Sequence, residues 1–214
     1  ARLDAFVANG GTLIAVGRSG FYDAEYELHD APALKCLGIE QVEIVQQAMR
    51  SAYLELDDKA GFRRFAATDL IYIDGPYVYA RYAREATQRF KLVPPHNFGP
   101  PERCYYETVV DRPGFVVDPY GRGRAIYVPW LPGQLFYRQG HTNTIDFAAD
   151  LIEHVAGIAP VGGNLPPMVE VTLFESHECK TQLVHLVNGS GHFGTTFYAP
   201  VPMFDLIVSV LCET

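Results

Sequence analysis

The chain has 214 residues, is 48% hydrophobic and 20% charged, and carries a formal net charge of −8. Its length supplies one large domain, or one domain plus a small one. The charge argues against a nucleic-acid partner, which needs a basic face to neutralise phosphates, and no apolar run approaches the ~20 residues of a membrane-spanning helix.

In chain order, "RLDAFVAN" (2 to 9) spaces Leu3, Phe6 and Val7 as a helix does, and Gly10-Gly11 ends it. "TLIAVG" comes next as a nearly all-apolar strand, the pattern of a strand covered on both faces. This helix-Gly-Gly-strand unit reads as half of a βαβ repeat whose first strand lies upstream of Ala1. "APALKCLGI" reads as a short helix and "AYLELD" as a strand. "DLIYIDGPYVYARY" reads as two strands about a turn at Asp74-Gly75-Pro76. The stretch 94 to 104 holds four prolines and reads as a loop. "GFVVDPYGRGRAIYVPW" predicts two antiparallel strands about Gly121-Arg122-Gly123, one glycine taking a positive φ. "TNTIDFAADLIEHVAG" predicts a helix capped by Thr142 or Asn143, with Ile145, Ala148, Ala149 and Ile152 on one face and Gly157 as its stop. A Gly/Pro linker, "APVGGNLPP" (159 to 167), precedes "MVEVTLFES", "TQLVHLVNG" and "MFDLIVSVL", three strand-like runs with no helix between them. The division expected is an α/β domain over 1–160 and a small antiparallel β module over 165–214.

Four cysteines, Cys36, Cys104, Cys179 and Cys212, stand far apart and read as reduced thiols of a cytoplasmic chain. Cys36 sits in a helical pattern and Cys104 lacks a preceding strand-glycine signature, so neither reads as a nucleophile. Ser19 invites comparison with the G-x-S-x-G elbow of α/β hydrolases. In Gly17-Arg18-Ser19-Gly20-Phe21, however, the second glycine comes one position early, and the residues after it are polar rather than helical in pattern. His141 and Asp146 are the available triad partners, with nothing in the sequence to bring them to Ser19. The simpler reading is a turn serine at a strand end. His177, Cys179, His185 and His192 lack a ligand spacing that defines a metal site. "YGRGR" (120 to 124) reads as a turn, with anion binding as the alternative, and Asn188-Gly189-Ser190 matches a glycosylation sequon. No pattern singles out paired carboxylates. No cofactor or metal is expected.

Three stretches together, "FVANGGTLIAVGRSGFYD", "YGRGRAIYVPWLPGQLFYRQGH" and "PPMVEVTLFESHECKTQLVHLVNG", resemble the C-terminal part of a family of bacterial glycoside hydrolases. In that family a TIM-barrel hydrolase domain precedes a domain similar to the trimerisation domain of family 42 β-galactosidases. The resemblance implies a class I glutamine amidotransferase-like, flavodoxin-like fold: a mostly parallel sheet with flanking helices, N-terminally incomplete here, without the catalytic residues of that fold. It also implies a non-catalytic role in assembly, with the catalytic barrel upstream. The Gly17-Arg18-Ser19-Gly20 run departs from the acidic or threonine-containing versions of the family. Ligand contacts are expected from Arg18, Ser19, Tyr22, Trp130, Tyr137 and His141. A homo-oligomer is expected, a trimer by resemblance, meeting through the loop 130 to 141 or the edge Thr12 to Gly17. Two alternatives are a carbohydrate-binding module using the tyrosines of 72 to 82 or the loop 130 to 141, and a hydrolase in its own right using Ser19.

Overall fold

A computed structural model describes residues 2–96, 99–103, 105–158, 161–176 and 178–210. Cys104, His177 and Cys212, with Ala159 and Pro160 of the expected linker, lie outside the described residues. The chain forms two compact units, Ala1–Gly157 and Ile158–Thr214.

The first unit opens with α1 (Arg2–Ala8), ended at Gly10 with φ 110°, and β1 (Thr12–Val16). Beyond them runs a long antiparallel ribbon: β2 (Ile39–Glu55) against β3 (Leu70–Tyr82). The turn expected at Asp74-Gly75-Pro76 is not a turn. Gly75, at φ 92°, lies inside one continuous strand opposite Met49, where the register shifts on both sides. Glycine there lets a bulge bend the ribbon without ending it. Next come β4 (Thr87–Arg89), β5 (Lys91–Val93), β6 (Phe115–Tyr120) and β7 (Gly123–Val128). One sheet has the order β1-β7-β6-β4 and the other β3-β2-β5. The β6–β7 hairpin turns where expected, with Gly121 at φ 63°. A side chain at Gly123 would overlap the carbonyl oxygens of Gly11 and Val7, so this turn packs directly on the end of α1.

This architecture corrects the expected flavodoxin-like, mostly parallel sheet with flanking helices. The chain is 40% strand and 18% helix, in several small sheets that are largely antiparallel. Among the described residues there are three α-helices, and β1–β7 is the single parallel pair. A parallel connection needs a crossover, usually a helix. Here the segment after β1 is confined between Pro32 and Gly38, which takes φ 63°, and forms one 3₁₀ turn, Lys35–Leu37, in place of the expected helix. The runs beyond it then pair antiparallel with near neighbours in sequence. The doubly buried strand is β7 rather than β1. Ala125 and Tyr127 enter one apolar cluster while Ile126 and Val128 enter the other. β1 lies at a sheet edge, with only Ala15 buried.

The larger cluster is aromatic. Phe62 stacks on Phe147 at 5.8 Å and meets Phe90 and Phe115 at 4.7 and 5.5 Å. A helix closes it where a loop was expected: α2 (Pro132–Gln139), with proline at its start and Gly140 at φ 67° at its end. His141, and neither Thr142 nor Asn143, occupies the cap position of α3 (Thr142–Asp150). Asn143 instead reaches β3, where its Oδ1 accepts the Tyr72 N–H (3.0 Å) and its Nδ2 donates to the Leu70 carbonyl (3.1 Å). The buried face of α3 is Thr144, Phe147 and Asp150, continued by Leu151, while Ile145 and Ile152 stay half-exposed. The helix widens to a π-turn over Leu151–Val155 and stops at Gly157, φ 71°.

In the second unit, β8 (Gly162–Gly163) lies in the expected linker. β9 (Val169–Ser176) and β10 (Thr181–Asn188) form a fully paired antiparallel hairpin. Short strands β11 (His192–Phe193) and β12 (Thr196–Phe197) pair with each other, and β13 (Val208–Ser209) pairs with β8. None of the described residues of this unit is buried.

Candidate functional site

The end of β1 opens into a cleft of about 480 Å³. Gly17, at φ 52°, donates its N–H to the Val128 carbonyl (2.8 Å) and turns the chain off the sheet. Arg18, Ser19 and Tyr22 line the cleft from this turn. Gln47 reaches it from β2, Pro76 and Val78 from β3, and Leu131 from the start of α2. The loop that presents Tyr22 is self-supporting. Phe21 is buried beneath it, and Asp23 accepts the N–H groups of Glu25 (3.0 Å) and Glu27 (2.8 Å) while pairing with His29 Nε2 (2.9 Å). The Glu27 N–H first, then His29, hold the Asp23 carboxyl below the ordinary carboxylate range.

The chemistry of this cleft is that of binding. Among the described residues, Arg18 is the one charged side chain lining the cleft, and neither a carboxylate nor a histidine does so. Ser19 Oγ donates to the Val16 carbonyl (2.8 Å) and accepts the Val16 N–H (3.3 Å), so its proton is committed to the strand end. Among the described residues no histidine hydrogen-bonds it, which leaves it without the base that activates a nucleophile. The arrangement suits an uncharged polar or anionic group, held by Arg18, Gln47 and Tyr22 against the apolar Val78 and Leu131.

The other candidate residues do not join it. Trp130 is 1% exposed. Its Nε1–H donates to the Gly114 carbonyl (3.0 Å), and its ring lies 5.1 Å from Phe147 in the core. Tyr137 is 90% exposed on α2. His141 bonds Gln139 Oε1 (2.9 Å) and meets Tyr72 edge-on at 76°. Tyr72 in turn meets Tyr53 at 62°, so these rings form no flat stacking platform for a sugar. Tyr77 and Tyr82 are buried. In the "YGRGR" turn, Arg124 donates to the Ala156 carbonyl (3.0 Å) and Arg122 to Asn9 Oδ1 (3.4 Å), which ties the hairpin down instead of offering an anion site. The Cys36 thiol is fully buried, and burial first, then Asp4, push it up to about 12, far from a reactive thiolate. His185 packs on Phe174 and His192 on Phe197.

Of the expected ligand contacts, Arg18, Ser19 and Tyr22 lie within five residues of one another and line the cleft together. Gln47, Pro76 and Leu131 arrive from three separate segments and carry no local signal. A second cluster also escapes the sequence pattern. Asp150, Glu153 and His154 bring ligand-type atoms within 4.8 Å of one another. The Arg64 guanidinium lies on both carboxylates, 2.5 Å from Asp150 and 2.9 Å from Glu153, so a cation is already supplied by the chain. The sequence carries no signal for this cluster, because the helix face that buries Asp150, with Thr144 and Phe147, is not the Ile145–Ile152 face that the spacing picks out.

No family model matches the chain, and no curated protein matches it. Solved structures do. The fold is similar to a β-galactosidase from Bacillus circulans sp. alkalophilus, with 19% identity and TM-score 0.56 over 89% of this chain and 25% of that one. It is similar to the cold-adapted β-galactosidase from Rahnella sp. R3, with 18% identity and TM-score 0.50 over 80% of this chain and 23% of that one. It is also similar to Gan42B, a GH42 β-galactosidase of G. stearothermophilus, with 18% identity and TM-score 0.51 over 80% of this chain and 22% of that one. The chain thus spans about a quarter of the length of each, and at these identities the likeness establishes a GH42-like fold and nothing finer.

Proposed function

We propose that this chain is a non-catalytic accessory region of a glycoside hydrolase, belonging to a longer cytoplasmic polypeptide whose catalytic barrel lies upstream. The observation that carries the reading is the likeness to β-galactosidases over 80–89% of this chain but only 22–25% of theirs. The Ser19 hydroxyl, held by the strand end, and the absence of acids from the cleft lining support it. Assembly is the role we assign, as a homo-oligomer and, in line with the resemblance, a trimer. Trp130 is spent inside the core, so the loop 130 to 141 loses most of its support as an interface. The β1 edge keeps its own: it has no strand beyond it among the described residues, and Leu3 and Phe6 of α1 are 46% and 53% exposed. The cleft of Arg18, Ser19 and Tyr22 is the place where a sugar hydroxyl or acid group would be held.

The test is turnover. The purified 214-residue chain should leave chromogenic glycosides and esters at the background rate. Hydrolysis that survives purification and disappears in Ser19→Ala would overturn the reading in favour of a hydrolase.

A further inference from the structure

Burying a charge is costly unless the charge is paired, and one arginine of the first unit breaks that rule. Among the described residues four arginines are partly buried. Three of them have partners: Arg89 pairs with Asp58 (3.1 Å), Arg112 with Glu43 (2.7 Å), and Arg124 donates to the Ala156 carbonyl (3.0 Å). The fourth, Arg18, has neither an ion pair nor a side-chain hydrogen bond among the described residues. It borders the cleft at the end of β1 and also a neighbouring hollow that holds Asp30 and Glu43. Glu43 is already taken by Arg112.

The backbone sets this cation in a place suited to a ligand. The cleft lies beyond the carboxyl ends of β1 and β7, the single parallel pair among the described residues, and open sheets bind ligands at such ends. Across the cleft the β2–β3 ribbon bulges. Between the pairs Gln46–Tyr77 and Met49–Gly75, two residues, Gln47 and Ala48, stand against Pro76 alone, and Gln47 and Pro76 both line the cleft. A bulge re-aims a side chain out of the strand's alternation and recurs beside functional sites. At about 480 Å³ the cleft has the size of a small-molecule site.

The lining selects the ligand class. One guanidinium with no second cation favours a single negative charge, and its planar fork matches a carboxylate. With no carboxylate in the lining among the described residues, nothing would hold the ammonium of an amino acid. The Gln47 amide can both donate to and accept from hydroxyls, and the Tyr22 ring, 49% exposed, offers a face to a sugar ring. We propose that this cleft binds a sugar acid, whose carboxylate takes the fork of Arg18 while Gln47 meets its hydroxyls and Tyr22 covers one ring face. The inference rests on the proposed reading of the cleft as a place where a sugar is held, and adds the charge that the ligand must carry.

The experiment is calorimetric titration of the whole chain with three probes: glucuronate, glucose and inorganic phosphate. Glucuronate should bind saturably, with glucose and phosphate each weaker by more than about tenfold. Arg18→Gln should weaken glucuronate by more than about tenfold and bring it level with glucose. Arg18→Lys keeps the charge without the fork and should fall between. Tyr22→Ala should weaken glucuronate and glucose by the same factor. Arg122→Gln removes a cation from the β6–β7 turn and should change nothing, which separates a local contact from net charge. Because Arg18 has no partner in the fold, the ligand-free Arg18→Gln chain should melt no lower than wild type. Glucuronate affinity that survives Arg18→Gln would overturn the inference. So would a lowered melting midpoint in that variant, which would assign the arginine to the fold. Phosphate bound as tightly as glucuronate overturns it in favour of a general anion site. Glucose bound as tightly as glucuronate overturns it but leaves the cleft as a sugar site, whereas a chain that binds neither sugar loses both readings of the cleft and keeps the turnover test of the accessory role.

Discussion

Removing the Asp150 carboxylate should destabilise the first unit by about 3 kcal/mol. Asp150 is fully buried, and each of its oxygens is engaged with Arg64: Oδ1 with the guanidinium at 2.5 Å, Oδ2 with the backbone N–H at 3.0 Å. Asp150→Ala loses one charge-assisted bond of about 1.5–3 kcal/mol and strands a part-buried N–H at about 1–2 kcal/mol. The guanidinium itself is not stranded, because Glu153 still takes both terminal nitrogens at 2.9 Å and Arg64 is 36% exposed. The loss therefore falls at the low end of the ~3–5 kcal/mol seen when a buried pair is broken. Glu153→Ala, which removes a quarter-exposed partner, should cost no more than about 1 kcal/mol. Asp150→Asn keeps an acceptor for the Arg64 N–H and should fall between. Trp130 is the only tryptophan and lies in the core of this unit, so urea unfolding followed by its fluorescence reads the effect directly. At ~2–4 °C per kcal/mol, Asp150→Ala should lower the melting midpoint by roughly 6–12 °C. An Asp150→Ala midpoint at wild type, or a larger loss in Glu153→Ala, would show that the buried carboxylate does not hold Arg64 and the 60–65 segment against α3.

Further outcomes rest on single positions. Gly123→Ala should cost about 2–3 kcal/mol, because the new methyl meets backbone carbonyls of Gly11 and Val7 that cannot move aside. Gly133→Ala in α2 meets nothing and should gain about 0.5–1 kcal/mol; equal effects from both in urea unfolding would refute the packing of the turn on α1. At pH 8, mass-mapped alkylation should label the exposed Cys179 and spare Cys36 until the chain unfolds; early labelling of Cys36 would contradict its burial. Asp118, against Gly38 and without a hydrogen bond among the described residues, has its carboxyl pKa raised by burial and then by Glu85. Its folded pKa exceeds its unfolded one, so its charge costs stability as pH rises through the folded pKa, and the cost vanishes below the unfolded value. Asp118→Asn should therefore be the more stable at pH 7 and indistinguishable from wild type near pH 3; a variant less stable at pH 7 would contradict this.

What the sequence determined by itself was local. Gly10, Gly121 and Gly157 end or turn the chain where their neighbours predict, because a positive φ is a property of one residue. The "GRGRAIYV" strand and the "VEVTLFES"/"TQLVHLVN" pair are equally legible, since alternation and turn chemistry act over a few residues. The triplet Arg18, Ser19 and Tyr22 shares a cleft because one turn carries all three. Tertiary structure decided the rest. An apolar run such as "TLIAVG" states that it avoids water, not whether it lies at a sheet's centre or edge, and reading it as central leads to a parallel sheet that the chain does not form. Gly75 looks the same in a turn and in a bulge; the partner strand opposite Met49 chose the bulge. Trp130 reads as part of a surface loop until its partner is known, because burial depends on what arrives from elsewhere: the Gly114 carbonyl for Trp130, as Arg64 does for Asp150. Those partners lie 16 and 86 residues away, and the free energy that holds each pair exists only once the chain has folded to bring them together.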